Sequence, residues 1–237
     1  MELYKQKLSL IPQIPILNCK AINYVFEKNL VPTDGIWIEF GTYTGNSLNK
    51  IATYTDKTVY GFDSFEGLPD AWVGRIDENG LFHWPPGTFS LGGNSNINVL
   101  PNVKLIKGWF KDTIPGFLKE VNRPIAFMHI DGDIYSSTRD IFESSYKYIK
   151  EGCVIAFDEL LGYPNFEEHE WKAWWEFVEK YEIEFEWIGC NLGGFDIITK
   201  DKPFGYLSPT YGCVVSPSYE NAAVRITRNK FYDKNLA

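Results

Sequence analysis

Apolar residues along the chain occur in short continuous runs that alternate with helical spacings. Five of these runs predict strands that are apolar nearly throughout: Gly35–Phe40, Thr58–Phe62, Val103–Lys107, Pro124–Ile130 and Cys153–Phe157. Such strands are typical of a parallel sheet that helices cover on both faces. Further strands are predicted near Glu184–Ile188, Phe195–Thr199 and Ala222–Thr227.

Helices are predicted between these strands from apolar residues spaced three and four apart. They are expected near 17–29, over Asn46–Tyr54, from Ser137 to about Lys150, and over His169–Tyr181. A capping box at Ser137–Asp140 should open the third helix, and Gly152 should end it. In the fourth helix, Trp171, Trp174 and Trp175 form an apolar stripe, which favours core packing over stacking on a sugar.

The alternation of strands and helices predicts an α/β fold of the Rossmann-like, doubly wound type with a mostly parallel, seven-stranded sheet. Residues 1–34 are expected to form an N-terminal arm and helix, and residues 35–237 a single domain. The segment Asp70–Asn98 is too long for an ordinary connection and is rich in aromatic residues. It predicts a lid insertion near 70–98 over the functional site, with a dimer contact or a disordered insertion as alternatives.

Composition narrows the classes of function. The 237 residues carry a net charge of −8, which argues against a nucleic-acid-binding protein that relies on contacts to phosphates. The longest uncharged stretches are rich in Gly, Pro, Asn and Ser, so no membrane span is expected. Four widely spaced cysteines and an N-terminus without an apolar leader favour reduced thiols and a cytoplasmic location. Aromatic residues make up 16% of the chain, which makes a homodimer plausible.

Four of the first five strands end in a glycine or an acid: Gly41, Asp63, Asp131 and Asp158. Ligands of doubly wound sheets bind outside the carboxyl ends of the strands, so these residues mark the expected site. The spacing of Gly41 and Gly45 fits neither a dinucleotide motif nor a P-loop. Asp63 follows the next strand, where a carboxylate can accept both hydroxyls of a ribose.

A second group of acids, Asp131, Asp133, Asp158 and Glu159, is expected at the same rim of the sheet. Carboxylates gathered there would repel one another strongly without a cation. Ligands that are all oxygen favour a hard ion such as Mg²⁺, with Ca²⁺ or Mn²⁺ as alternatives, and disfavour zinc. Acids at sheet ends can also cap helices, and Asp133 could do so for the helix near Ser137.

Several segments resemble a known family. Glu39–Gly45 resembles motif I of class I S-adenosylmethionine-dependent methyltransferases. Gly61–Pro69, Lys107–Pro115 and His129–Thr138 closely resemble segments of the macrocin O-methyltransferase (TylF-type) family, in the family's order. The resemblance covers roughly residues 35–160.

The resemblance implies binding of S-adenosylmethionine and a divalent metal, and methylation of sugar hydroxyls. The residues that it assigns to the cofactor are Glu39, Gly41, Thr42, Asn46 and Ser47 on the methionine side, Asp63 at the ribose, Ser64 and Phe65 near the adenosine, Gly108 and Trp109 at the adenine, and Asp131. The family pattern usually carries two aspartates after the fifth strand, whereas this chain has Asp158 followed by Glu159. The resemblance therefore leaves open how Glu159 would coordinate a metal.

These observations together predict a metal-assisted O-methyltransferase that acts on a hydroxyl of a sugar or glycosylated small molecule. Asp131 and Asp133 are the catalytic candidates, one as metal ligand and one as base, without an individual assignment. His129 lies inside a strand and is a weaker base candidate. A metal-independent methyltransferase and a catalytically idle, nucleoside-binding Rossmann-like protein are the alternatives. The acceptor pocket falls in loops that carry no specific pattern.

Overall fold

The computed structural model describes residues 2–77, 80–163, 165–191 and 220–236. Its strands are β1 Ile36–Phe40, β2 Val59–Asp63, β3 Trp72–Asp77, β4 Gly80–Trp84, β5 Val103–Lys107, β6 Ile125–Ile130, β7 Ile149–Phe157, β8 Glu184–Asn191 and β9 Asn221–Arg228. Its α-helices are α1 Leu3–Gln6, α2 Ala21–Glu27, α3 Asn46–Ala52, α4 Phe110–Val121, α5 Tyr135–Ser145 and α6 Glu170–Lys180. Short 3-10 helices span Lys7–Gln13 and Phe166–Glu168.

Seven strands form one sheet in the order β5-β2-β1-β6-β7-β9-β8. The first five in that order pair in parallel, and β9 runs antiparallel to both of its neighbours. Strand order reverses between β1 and β6, where ligands of doubly wound sheets bind. Phe40 pairs with both Phe62 and Ile130, so the carboxyl ends of the central strands lie side by side. The predicted doubly wound fold is confirmed.

Apolar side chains cover both faces of this sheet, as expected from strands that are apolar throughout. One buried cluster joins Phe40 and Phe142 to the tryptophans of α6, and the other joins Trp37, Leu48 and Phe127. Trp171 and Trp174 are fully buried, so the predicted stripe of α6 is part of the core.

The boundary between α5 and β7 differs from the prediction in two ways. Helix α5 begins at Tyr135, and no side chain caps it, so the capping box at Ser137 was wrong. The helix ends at Ser145, and Gly152 lies within β7 with a φ of +85°. The pairing of β6 with β7 shifts register there, because the extra residues bulge out of β7 and glycine accepts the left-handed conformation.

Helix α4 was not predicted, because Pro115 and Gly116 interrupt its sequence. Its apolar spacing is nevertheless helical, and Ile114 and Leu118 are fully buried. The two late strands near 184 and 222 are confirmed as β8 and β9, while the strand predicted over Phe195–Thr199 lies outside the described residues.

The segment expected to form a lid contains β3 and β4, which make an antiparallel hairpin apart from the main sheet. The hairpin is anchored to the loop after β7, since His169 Nε2 lies 2.6 Å from the Val73 carbonyl oxygen and Asn165 donates to the same oxygen at 3.1 Å. Ser136 also donates to Asp70 at 2.7 Å. The role of this hairpin as a lid stays a prediction.

Residues 1–34 pack on the domain rather than standing apart from it. Tyr4, Ile11 and Ile14 belong to the core cluster of the sheet, and Trp171 Nε1 donates to the Tyr4 carbonyl at 2.9 Å. Within the described part of the chain, none of the helices has the length and apolar composition needed to span a bilayer. The domain boundary at residue 34 stays a prediction.

The burial of α4 leads to a test of its packing. Leu118→Ala should lower the free energy of unfolding by about 2–5 kcal/mol, because it removes a fully buried side chain and leaves a cavity. Lys119→Ala, at the next and exposed position of the same helix, should change it by less than about 0.5 kcal/mol. Urea unfolding of both variants measures the difference, and equal stabilities would contradict this packing of α4.

Candidate active site

A cavity of about 370 Å³ opens at the carboxyl ends of β1, β2, β5 and β6. Its size falls in the usual range for small-molecule and cofactor pockets. Its lining is largely apolar and aromatic, with a few acids along one side. The lining residues are Gly41, Tyr43, Asp63, Ser64, Gly67, Leu68, Pro69, Trp72, Trp84, Phe89, Gly108, Trp109, Phe110, Asp131, Gly132, Asp133, Ser137 and Glu159.

Asp63 organises the loop that follows β1. The N–H groups of Thr42 and Tyr43 donate to its Oδ2 at 2.8 and 2.7 Å, and the N–H of Phe65 donates to its Oδ1 at 2.6 Å. These charge-assisted bonds fix the turn against the end of β2. The Asp63 carboxylate therefore lines the cavity and also holds in place the loop that forms one of its walls.

Glycine at position 41 is required by the close approach of β1 and β6. Gly41 has a φ of +92°, and a Cβ there would lie 1.7 Å from the Asp131 carbonyl oxygen. No side chain can occupy that space, so the glycine lets the loop pass directly over the end of β6. This approach brings the loop and Asp131 into the same cavity.

Aromatic side chains from the lid segment and from the glycine loop, residues Gly41–Gly45, meet at the mouth of the cavity. Phe89 stacks on Trp84 with ring centroids 5.3 Å apart and contacts Tyr43 edge-on at 5.8 Å. Tyr43, Phe89 and Trp109 are partly exposed. Flat, partly exposed rings of this kind can bind planar or apolar faces of a ligand.

Three acids meet at the far side of the cavity. One carboxylate oxygen from each of Asp131, Asp158 and Glu159 lies within 4.8 Å of the other two. The Oε2 atom of Glu159 is buried and has no hydrogen-bond partner among the described residues. Asp133 lies outside this trio, yet it lines the same cavity and adopts a left-handed φ of +62°.

Positive and negative groups alternate behind these acids. Glu39, buried in β1, lies 2.9 Å from His129 Nδ1, and His129 Nε2 lies 3.8 Å from Asp158 Oδ1. Lys20 Nζ then lies 3.3 and 3.4 Å from the two oxygens of Asp158. The side chain of Ser47, in α3, works to lower the pKa of Glu39. The result is a row of charges from β1 to the start of α2.

This row of charges shifts the pKa of each member. Burial works to lower the pKa of His129, but Asp158 and Glu39 outweigh it and raise that pKa to about 10. Burial works to raise the pKa of Asp158, but His129 and Lys20 outweigh it and lower that pKa to about 2. His129 is therefore held as a cation between two carboxylates, which suits a structural role better than that of a base.

The other acids are harder to ionise. Burial and the charge of Asp158 raise the pKa of Asp131 and of Glu159 well above the usual range. Burial and Asp131 raise the pKa of Glu170 to about 8. Acids in this state either keep protons or need further positive charge, as the sequence predicted for the rim.

Several predicted residues come together at the cavity: Gly41, Asp63, Ser64, Gly108, Trp109, Asp131, Asp133 and Glu159 line it. Glu39 and Thr42 are buried behind it, and Asn46 is exposed at the start of α3. Phe65 lies apart from it, because its side chain is buried in the core and only its N–H reaches Asp63. Asp158 joins the cluster of acids beside the cavity.

Two site residues were missed by the sequence analysis. Lys20 precedes α2 without any pattern that points to the acids. Glu170, in the first turn of α6, is fully buried, and the Gly132 N–H and the Thr138 hydroxyl each donate to its Oε1 at 3.4 Å. Its spacing to Trp174 places it on the buried stripe of α6, and that spacing could have revealed it.

Comparison with known proteins supports the resemblance found in the sequence. The family model described as Macrocin-O-methyltransferase (TylF) matches residues 96–187. That segment runs from the end of the lid segment through α6, and it includes Asp131, Asp133, Asp158 and Glu159.

Curated relatives are similar over much of the chain. The demethyldecarbamoylnovobiocin O-methyltransferase of Streptomyces niveus is 26% identical over 179 residues, which are 70% of this chain and 66% of that protein. The mycinamicin III 3''-O-methyltransferase of Micromonospora griseorubida is 27% identical over 136 residues, which are 53% of this chain and 52% of that protein. The chain thus spans about half to two thirds of the length of the curated relatives it matches.

Solved structures share the fold. The calicheamicin methyltransferase CalS11 aligns over 94% of this chain and 91% of its own, with a TM-score of 0.52 and 19% identity. The O-methyltransferase NovP aligns over 94% of this chain and 80% of its own, with a TM-score of 0.52 and 21% identity. The fold is that of the class I methyltransferases. Over residues 96–187 the chain is in addition similar to the macrocin O-methyltransferase (TylF) family, and the curated relatives are themselves named O-methyltransferases.

The ion pair between Glu39 and His129 leads to a test by a double-mutant cycle. His129→Gln should lower the free energy of unfolding by about 3–5 kcal/mol, because it leaves buried carboxylates without their cation. Adding Glu39→Gln should recover about 1–3 kcal/mol relative to the sum of the two single changes. Urea unfolding of the wild type, both single variants and the double variant measures the coupling, and strict additivity would contradict the pairing.

Proposed function

We propose that this protein is an S-adenosylmethionine-dependent, divalent-metal-assisted O-methyltransferase that acts on a hydroxyl of a sugar or glycosylated small molecule. The observation that carries the proposal is the placement of the acids Asp131, Asp133 and Glu159 on one wall of the same cavity that Asp63 and the glycine loop line. The wall that we propose binds the nucleoside and the wall of acids thus face the same cavity.

The cofactor would bind along the glycine loop and the ends of β2 and β5. Asp63 keeps an acceptor position on Oδ1 beside its single backbone donor, so it can accept a ribose hydroxyl while it holds the loop. Gly108 and Trp109 stand at the end of β5 on the same wall, and Gly108 N–H donates to the Asp63 carbonyl at 2.9 Å. Trp109 is then available to pack against the adenine ring.

The acids fit a hard divalent cation. Asp131, Asp158 and Glu159 supply only oxygen, and the buried Oε2 of Glu159 has no hydrogen-bond partner among the described residues. One oxygen from each of the three acids lies within 4.8 Å of the other two, so together they could hold one such ion. When bound, such an ion would lower the pKa of an acceptor hydroxyl.

The remaining groups divide the work of the transfer. Asp133 lies outside the trio of acids but on the cavity wall, so we assign it the role of base that takes the acceptor's proton. When bound, S-adenosylmethionine would supply the methyl group, which would pass from its sulfonium sulfur to the acceptor oxygen and leave S-adenosylhomocysteine. The protein contributes mainly position, because the sulfonium is already a good leaving group.

The acceptor would approach from the mouth of the cavity, where Tyr43, Trp84 and Phe89 gather. A third curated relative, from Streptomyces olivaceus, is named for 4'-O-methylation of a tetracenomycin that carries a dimethoxy-rhamnosyl group, and this supports a sugar or glycoside as the acceptor class. Aromatic rings suit the apolar face of such a ligand.

Cofactor binding can be tested at Asp63. Asp63→Ala should weaken binding of S-adenosylhomocysteine by about tenfold or more, because it removes a hydroxyl acceptor and frees the loop amides. Asp56→Ala, an exposed acid before β2, should leave the affinity unchanged. Isothermal titration measures both, and equal affinities in the two variants would contradict the ribose role of Asp63.

Metal binding can be tested separately from cofactor binding. Asp158→Asn and Glu159→Gln should each weaken Mg²⁺ binding by about tenfold or more, since each removes a charged ligand. Affinity for S-adenosylhomocysteine should hold within about threefold, because neither residue belongs to the nucleoside wall. Turnover should stop when EDTA is added and return with Mg²⁺, and full activity in EDTA would instead favour the metal-independent alternative.

A further inference from the structure

The segment before α2 is fixed against the edge of the sheet. The N–H of Cys190 donates to the Pro15 carbonyl and the N–H of Leu17 donates to the Cys190 carbonyl, both at 2.8 Å. These bonds add a short parallel bridge to the end of β8. The segment is therefore held as an extra piece of strand rather than as a loose arm.

Glycine in β8 permits this close approach. Gly189 has a φ of +151°, and a Cβ there would lie 2.6 Å from Leu17 Cδ2 and 2.7 Å from the Pro15 carbonyl oxygen. On the other side of Lys20, the N–H of Ala21 donates to the Asn221 side chain at 2.6 Å, and Asn221 is 1% exposed. The backbone of Lys20 is thus fixed from both sides.

From this position Lys20 reaches the acids. Its ammonium lies at nearly equal distances, 3.3 and 3.4 Å, from both oxygens of Asp158. Asp158 supplies an oxygen to the trio with Asp131 and Glu159. A cation from the N-terminal segment therefore already lies on one of the three acids that the proposed function assigns to a metal.

We propose that Lys20 is a positioning residue that acts as a built-in cation of the acidic centre and competes with a divalent ion for Asp158, which sets the metal affinity of the site. This inference rests on the metal centre of the proposed function. Two positive charges near one carboxylate repel each other, and the repulsion is strong where water is scarce. Lys20 also holds the Asp158 carboxylate in place when no metal is bound.

Lysine suits this role because its ammonium is a flexible point charge on a long stem. It can pair with Asp158 and then turn aside when a metal enters, and its side chain is one-third exposed, which leaves room for that movement. Its three N–H groups donate and cannot accept, so Lys20 does not act as the base for the acceptor hydroxyl.

The test measures metal affinity in the full-length protein, stripped with EDTA and titrated with Mn²⁺. Isothermal titration and the electron paramagnetic resonance signal of free Mn²⁺ give two independent readouts. Lys20→Met and Lys20→Gln should bind Mn²⁺ about tenfold more tightly than the wild type, because the competing charge is gone. Lys20→Arg keeps the charge and should stay within about threefold of the wild type.

Lys28→Met is the matched control. Lys28 lies at the other end of α2 and is exposed, and the contact described for its side chain is with the ring of Tyr24. The substitution removes the same charge from the chain without touching the acids, so Mn²⁺ affinity should not change. Damage to the fold would weaken binding, whereas the proposal expects stronger binding, so the direction separates the two. Binding of S-adenosylhomocysteine confirms that each variant is folded.

The outcomes are distinguishable. Unchanged or weaker Mn²⁺ binding in both Lys20→Met and Lys20→Gln, beside a wild type that binds, would overturn the role of Lys20 and leave the proposed function intact. If the Lys20 variants bind Mn²⁺ and the wild type does not, the proposal is supported most strongly, because Lys20 then excludes the metal completely. If neither the wild type nor the Lys20 variants bind Mn²⁺ while S-adenosylhomocysteine still binds, both the metal centre and the role of Lys20 fail, and cofactor binding stands.

Discussion

The site depends on the balance of charge at the carboxyl end of the sheet. Acids that are buried beside one another repel, and each loses the solvation that water would give it. Two cations offset part of this cost. His129 lies between Glu39 and Asp158, and Lys20 pairs with Asp158. Asp131 and Glu159, which line the cavity, either keep protons or need further positive charge, and this need is the basis of the proposed metal site.

The backbone at this end of the sheet is also tightly constrained. The acids converge because parallel strands end at one edge, and Asp131 follows β6 while Asp158 follows β7. Gly41 lets the neighbouring loop cross the end of β6 without a clash. Asp63 then accepts bonds from two N–H groups of that loop and from the N–H of Phe65, which follows β2. Position and chemistry are thus supplied by the same few residues.

The sequence predicted those parts of the fold and site that local patterns encode. Apolar runs located the central strands, and the acids that follow them mark the rim, so the order of residues alone was enough to assign Asp63, Asp131 and Glu159 to the site whose cavity they line. Helix α4 was hidden because Pro115 contradicts helix propensity, and tertiary packing of Leu118 overrides that signal.

Lys20 could not be predicted, because its neighbour Asp158 lies 138 residues away and the contact arises only when the N-terminal segment pairs with β8. The ion pair of His129 with Glu39 is of the same kind, since it joins adjacent strands through a register that the sequence does not state. The residues that we propose to bind the cofactor lie in motifs directly after their strands. The charged groups beside the acids come from distant parts of the chain, so no local pattern of residues points to them.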